Sequence, residues 1–159
     1  MEMTLSSTNN FQEQVENVIK YCKTIFGDLS DYESDIIRTS MRLIQMDPPS
    51  TKLMVTERIT QLVRNKSDMQ YLILKAKDLR RSYNIPYTDS YNQQFTILTR
   101  QNRPSKQAIE SEMHFMKPEL REYRDKINDI DTMLDFFNSY LSFIDKTVAV
   151  LENRRYDLG

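Results

Sequence analysis

The residues best suited to chemistry in this 159-residue sequence lie in one run, where Lys75, Lys77, Arg80 and Arg81 place four cations within seven positions. A row of aromatics follows at Tyr83, Tyr87, Tyr91 and Phe95, and then Arg100, Arg103 and Lys106. Cations neutralise phosphates while tyrosine rings offer stacking surfaces to unpaired bases, the two ingredients of sequence-tolerant single-strand binding. No helix-turn-helix or zinc signature accompanies the run, so reading of duplex bases in the major groove is not expected. A solvated helix face, with Lys and Arg stems lying over apolar neighbours, accounts for the same composition.

Other chemistries find less material. Glu122, Asp125 and Asp129 could share a helix face, as could Asp131 and Asp135. Paired acids can hold Mg²⁺ or act as acid and base, but they need burial or convergence from several elements. These acids fall at the polar positions of an amphipathic pattern, where solvated carboxylates belong. His114 is the only histidine, which disfavours His-based metal sites and His-assisted nucleophiles. Cys22 is the only cysteine, which excludes an internal disulfide and a multi-Cys zinc site; a small buried apolar residue is its expected role. Gly27 and Gly159, the two glycines, are too far apart for a phosphate-cradling loop. The nine methionines are spread along helical apolar stripes and read as core filling. The expectation is a protein that is not an enzyme, with no catalytic residue, metal or cofactor.

The formal net charge of −1 conceals an uneven distribution. Residues 1–49 carry −4, residues 50–106 carry +7 and residues 107–159 carry −4. A polyanion would feel the field of the basic middle third. Pairing of that third with its acidic neighbours, within the fold or between subunits, is the competing explanation.

The elements that must position these residues are helical. Asn9 or Asn10 can cap a first helix, whose apolar positions Phe11, Val15, Val18, Ile19, Cys22, Ile25 and Phe26 keep the helical period up to a stop at Gly27. A second helix is predicted from about Asp31 to Met46, ending at Asp47-Pro48-Pro49. From Thr51 to about Tyr83 no glycine or proline occurs, and Val55, Ile59, Leu62, Met69, Leu72, Ala76 and Leu79 recur at helical spacing, giving one long central helix. Residues 84–104, with Pro86, Asn92, Gln93, Gln94 and Asn102, read as an extended, partly flexible connection with at most a short strand near Phe95–Ile97.

Pro118 suits the first position of a C-terminal helix over 118–155. There Leu120, Tyr123, Ile127, Ile130, Leu134, Phe137, Leu141, Ile144, Val148 and Leu151 alternate in steps of three and four. Such a sustained seven-residue repeat calls for left-handed supercoiled packing. A second stripe at Met133, Phe136, Tyr140, Phe143 and Val150 asks for cover on another flank. An intramolecular bundle and self-assembly both satisfy the pattern; Leu134, Phe137, Leu141, Ile144, Val148 and Leu151 are the candidate oligomerisation residues. The fold expected is all-α, a single helical domain over 1–159 with a basic middle segment 50–106 and a C-terminal assembly helix 118–155. No run of about 18 apolar residues occurs and the first residues lack a basic and then apolar leader pattern, so a cytoplasmic protein that makes no membrane contact is expected.

The order of these features resembles the UvsY-type recombination mediators of T-even and related phages. Leu74-Lys75-Ala76-Lys77 is similar to that family's basic Leu-Lys-Ala-Arg segment, and an aromatic follows at Tyr83. Ser111-Glu112-Met113 and the amphipathic stretch Ile130-Asp131-Thr132-Met133-Leu134-Asp135-Phe136-Phe137 complete a likeness that covers roughly residues 31–156. The resemblance implies a DNA recombination and repair protein that binds single-stranded DNA. It also implies assembly through the C-terminal helix into a ring of about six or seven copies, and loading of a RecA-like recombinase onto DNA coated by a single-strand binding protein. A phage-encoded mediator would work in the host cytoplasm. DNA contacts carry over to Lys75 and Lys77; Arg80, Arg81, Arg100, Arg103 and Lys106 extend the set by charge. Two departures stand out: Lys77 replaces an arginine, turning a bidentate phosphate contact into a point charge, and Asn84-Ile85-Pro86 replaces a glycine-containing turn.

Overall fold

The computed structural model describes the backbone of residues 2–101 and 105–158, with side chains from 10 to 97, 105 to 115 and 117 to 158. Among the described residues every regular element is helical: α1 (Glu2–Phe26), α2 (Asp31–Gln45), α3 (Lys52–Gln101), α4 (Lys106–Met116) and α5 (Pro118–Asp157). This is the expected all-α architecture, a bundle with a long central helix and a C-terminal helix carrying the apolar repeat.

Local chemistry sets most of the boundaries. α1 stops at Gly27, whose φ of 86° closes the last turn while its N–H reaches the Lys23 carbonyl at 2.8 Å. Ser30 opens α2 through a reciprocal capping box: its Oγ accepts from the Glu33 amide at 3.1 Å, and Glu33 Oε1 accepts from the Ser30 amide at 3.0 Å. Thr51 starts α3 by accepting from the Met54 amide at 3.2 Å, and Ser105 starts α4 by accepting from the Ala108 amide at 3.2 Å.

Two sequence expectations are corrected. α1 begins at Glu2, well before Asn9 and Asn10. No glycine or proline interrupts that stretch, so an internal asparagine is no barrier to propagation. The larger correction concerns residues 84–104: α3 runs on through Pro86 to Gln101 with no extended segment and no strand in its described part. Proline removes one backbone donor and leaves the Ser82 carbonyl without its helical partner. The helix survives because Pro86 lies near solvent-exposed Ile85, where water can satisfy that carbonyl, while Tyr83 and Tyr87 on the inner face are covered by rings from α5 and α4. Tertiary packing overrides the local penalty. α4 is a helix beyond those the sequence predicts; its buried Ile109 and Met113, one turn apart, give it an apolar face.

The chain divides into two compact units, one comprising Met1–Leu74 with Met133–Gly159 and the other Lys75–Thr132. α3 and α5 contribute to both. The core of the first unit contains Ile19 and Cys22 of α1, Ile37 of α2, Val55, Leu62 and Leu72 of α3, and Phe137 and Ile144 of α5, all at most 2 % exposed. It also holds a polar knot: Asn65 Oδ1 accepts from Tyr140 Oη and lies 3.0 Å from Ser40 Oγ, with all three residues buried. The second unit is built on Ala76, Ile109, Met113, Leu120, Ile127 and Ile130.

Candidate nucleic-acid interface

The basic cluster begins at Lys75, the first α3 residue of the second unit. Ala76 is fully buried and marks the inner face of α3. One position on, Lys77 points outward, and Arg81 follows one helical turn later, also exposed. Neither side chain has an acidic partner among the described residues. Lys75 is half-buried and engaged in a polar interaction within the protein.

Arg80 has a different role. Its Nε lies 2.6 Å from Asp131 Oδ1 and its Nη2 3.3 Å from Oδ2, a two-pronged contact to α5. Hydrogen bonding to Asp131 is the main reason its pKa is raised, with burial opposing. In the first unit, Lys66 of the same basic third lies 2.6 Å from Asp145 of α5. Part of the central positive charge is therefore matched by acids of the C-terminal helix.

The aromatic row is ordered by the helix that carries it. Tyr83 packs on Tyr123 with ring centroids 5.9 Å apart, and Lys126 Nζ sits 5.0 Å from the Tyr83 centroid. Tyr87 packs on His114 at 6.0 Å, and Tyr91 stacks on Phe95 at 6.1 Å with planes 24° apart. Tyr87 and Tyr91, with Asn84 and Thr88, line a recess of about 170 Å³ closed from α4 by Lys106 and Glu110. Lys106, predicted from charge alone, is thus brought beside two of the tyrosines. Arg100 lies within α3 at a position whose side chain is not described, and Arg103 falls outside the described residues.

His114, the lone histidine of the sequence, joins its own helix to two others. Its Nδ1 is 3.3 Å from Arg124 Nη1, and its Nε2 is 3.3 Å from Tyr87 Oη. A guanidinium can only donate, so Nδ1 must accept. The imidazole is consequently neutral, with its proton on Nε2 directed at Tyr87. Burial and then the Arg124 charge push its pKa below the ordinary value. A histidine held in this way ties α4 to α3 and α5.

Of the six residues expected at a subunit seam, four are buried inside the chain's own fold and two are partly open. Phe137 and Ile144 are fully buried, Leu134 and Leu151 are buried, and Leu141 and Val148 are half-buried. On the neighbouring flank of α5, Phe136, Phe143 and Val150 stay exposed at intervals of seven.

Among the described residues no group of three or more His, Cys, Asp or Glu side chains could hold a metal ion. Asp131, singled out with Asp135 as a possible acid pair, is occupied by Arg80. No described helix is long and apolar enough to cross a membrane. No family model, curated protein or solved structure matches the chain.

Proposed function

We propose that this protein binds single-stranded DNA without catalysing a reaction and acts as a homo-oligomeric recombination mediator, helping a RecA-like recombinase onto strands covered by a single-strand binding protein. The observation that carries this reading is the exposed pair Lys77 and Arg81, one turn apart on α3 and without acidic partners among the described residues, on the helix that also bears the tyrosine row. The pair can meet successive phosphates, and Lys106 beside Tyr87 and Tyr91 supplies a further cation next to aromatic surface. Two or three cations per subunit bind a strand weakly. An assembly that presents several copies gains avidity and can hold a strand long enough to hand it on. Of the candidate assembly residues, Leu141 and Val148 are the two that remain partly open to a second copy.

A test is the salt dependence of binding to a fluorescein-labelled dT oligomer for wild type and for Lys77→Ala with Arg81→Ala. Loss of two phosphate contacts lowers the slope of log K against log salt by about 1.4 per subunit for a single strand. An unchanged slope would remove these residues from the interface.

A second reading, a coiled-coil assembly or adaptor protein that does not touch nucleic acid, draws support from Arg80–Asp131 and Lys66–Asp145, which match the basic third to the acidic C-terminal helix. That reading expects no binding of the dT oligomer even at low salt.

A further inference from the structure

A recess of the first unit lies far along the chain from the tyrosine row and plays no part in the proposed DNA contacts. The end of α2 and the loop after it, the start of α3 and the last turns of α5 enclose a recess of about 450 Å³. This is within the range of about 300–1,000 Å³ found for ligand clefts. Its apolar lining includes Ile44, Met46, Phe143 and Val150, each more than a third exposed. Scattered exposed apolar side chains need no explanation, but several gathered around one concavity mark a contact site.

The charges around it have one sign. Arg58, Lys146 and Arg154 belong to the lining, and no carboxylate does. Arg58 donates from Nη2 to the Asp47 carbonyl at 3.1 Å, which holds its head at the edge of the recess. Lys146 and Arg154 have no acidic partner among the described residues, whereas nearby Lys66 takes Asp145. Phe143, Lys146, Val150 and Arg154 lie along one side of α5, spanning about 16 Å at 1.5 Å per residue. That is about three turns of a helix laid alongside.

We propose that this recess is a docking groove for an acidic amphipathic helix of a partner protein, with apolar residues at i, i+3 or i+4 and i+7 entering the recess and flanking Asp or Glu side chains meeting Arg58, Lys146 and Arg154. The fit is by charge as well as by shape. Apolar anchors in a groove supply affinity, and a one-sign rim selects an acidic partner over a basic one and speeds encounter. A concave floor between three elements suits a row of side chains.

The test uses the full-length protein and two labelled helical peptides of about 16 residues that share one Leu and Phe stripe, one with Glu and the other with Lys at the flanking positions. Fluorescence anisotropy should show the Glu peptide binding about tenfold or more tightly than the Lys peptide, with the preference shrinking as salt is added. Val150→Glu, at a position 64 % exposed and so tolerable to the fold, should weaken the Glu peptide about tenfold. Lys146→Glu with Arg154→Glu should reverse the preference, which a merely structural effect would not do. Equal binding of both peptides, or binding indifferent to Val150→Glu, would overturn the proposal. So would a fall in light-scattering mass on Val150→Glu, which would make the face a contact between copies. Capture by phosphatidylglycerol vesicles, lost in Val150→Glu, without binding of the Glu peptide would also overturn it and assign the groove to a lipid surface.

Discussion

Phe137→Ala separates a core inside one chain from a seam between chains. Phe137 is fully buried, and a phenylalanine that gives up about 200 Å² of apolar surface gains up to about 5 kcal/mol at about 25 cal/mol per Å². Truncation leaves a cavity among packed neighbours, and such changes typically cost about 3–5 kcal/mol. The adjacent Phe136 packs on Phe137 with centroids 6.0 Å apart but is 44 % exposed, so Phe136→Ala should cost less than half as much. Ile144→Val, a milder change at another fully buried position, should cost about 0.5–1.5 kcal/mol and leave a folded protein for comparison. The assay is urea denaturation followed by far-UV circular dichroism, with light-scattering mass measured on the folded variants. The expected order of destabilisation is Phe137→Ala, then Phe136→Ala and Ile144→Val, with the mass of the Ile144→Val and Phe136→Ala proteins unchanged. Phe137→Ala that unfolds at the wild-type urea concentration while losing mass would refute the assignment of this residue to an intramolecular core.

Other perturbations address separate parts of the molecule. His114 is held neutral with its pKa below the ordinary 6.5, so the unfolded chain takes up a proton before the folded one does. Stability is full above about 6.5 and falls as pH drops toward the folded value; His114→Gln should flatten this slope between about pH 7.5 and about pH 5.5 in urea midpoints. A wild-type slope identical to that of the variant would show that His114 does not titrate differently on folding. Burial pushes the Cys22 thiol up to about 12 from 9.0, which lowers its thiolate fraction about a thousandfold. Reaction with a disulfide reagent near pH 8 should therefore be slow in buffer and rapid in denaturant, and fast labelling of the folded protein would contradict that burial. Pro86→Ala restores a donor for the Ser82 carbonyl inside α3 and should stabilise by about 1–3 kcal/mol in the same urea assay; a loss of stability would mean the helix is not continuous there.

The end of α2, the start of α5 and the stop of α1 are legible because each rests on a short-range device: the proline pair after α2, Pro118 at the first turn of α5, and Gly27 with positive φ. The C-terminal repeat was legible as a helix but ambiguous in its partner, because a seven-residue pattern fixes the geometry of packing and not the chain that does the packing. The extended connection expected over 84–104 gives way to helix as far as Gln101, with 102–104 outside the described residues, because the strong local signal of Pro86 and the run of Asn and Gln is overridden by packing. The opposing signal was present: Tyr83, Tyr87, Tyr91 and Phe95 recur in steps of four, which keeps them on one helical face. Arg80 could not be told from Arg81 in sequence, since its pairing depends on Asp131, fifty-one residues away. The role of His114 was invisible for the same reason: Tyr87 and Arg124 meet it only in the fold.

Single-strand binding by an assembled protein stands or falls on the light-scattering mass of the purified chain, with and without poly-dT, at low and at high salt. The expected result is a defined oligomer that takes up the strand at low salt and releases it as salt rises, as phosphate contacts through Lys77 and Arg81 require. An oligomer of the same mass with and without poly-dT at low salt would contradict the DNA-binding reading, and a monomer under all conditions would contradict the assembly on which mediation depends.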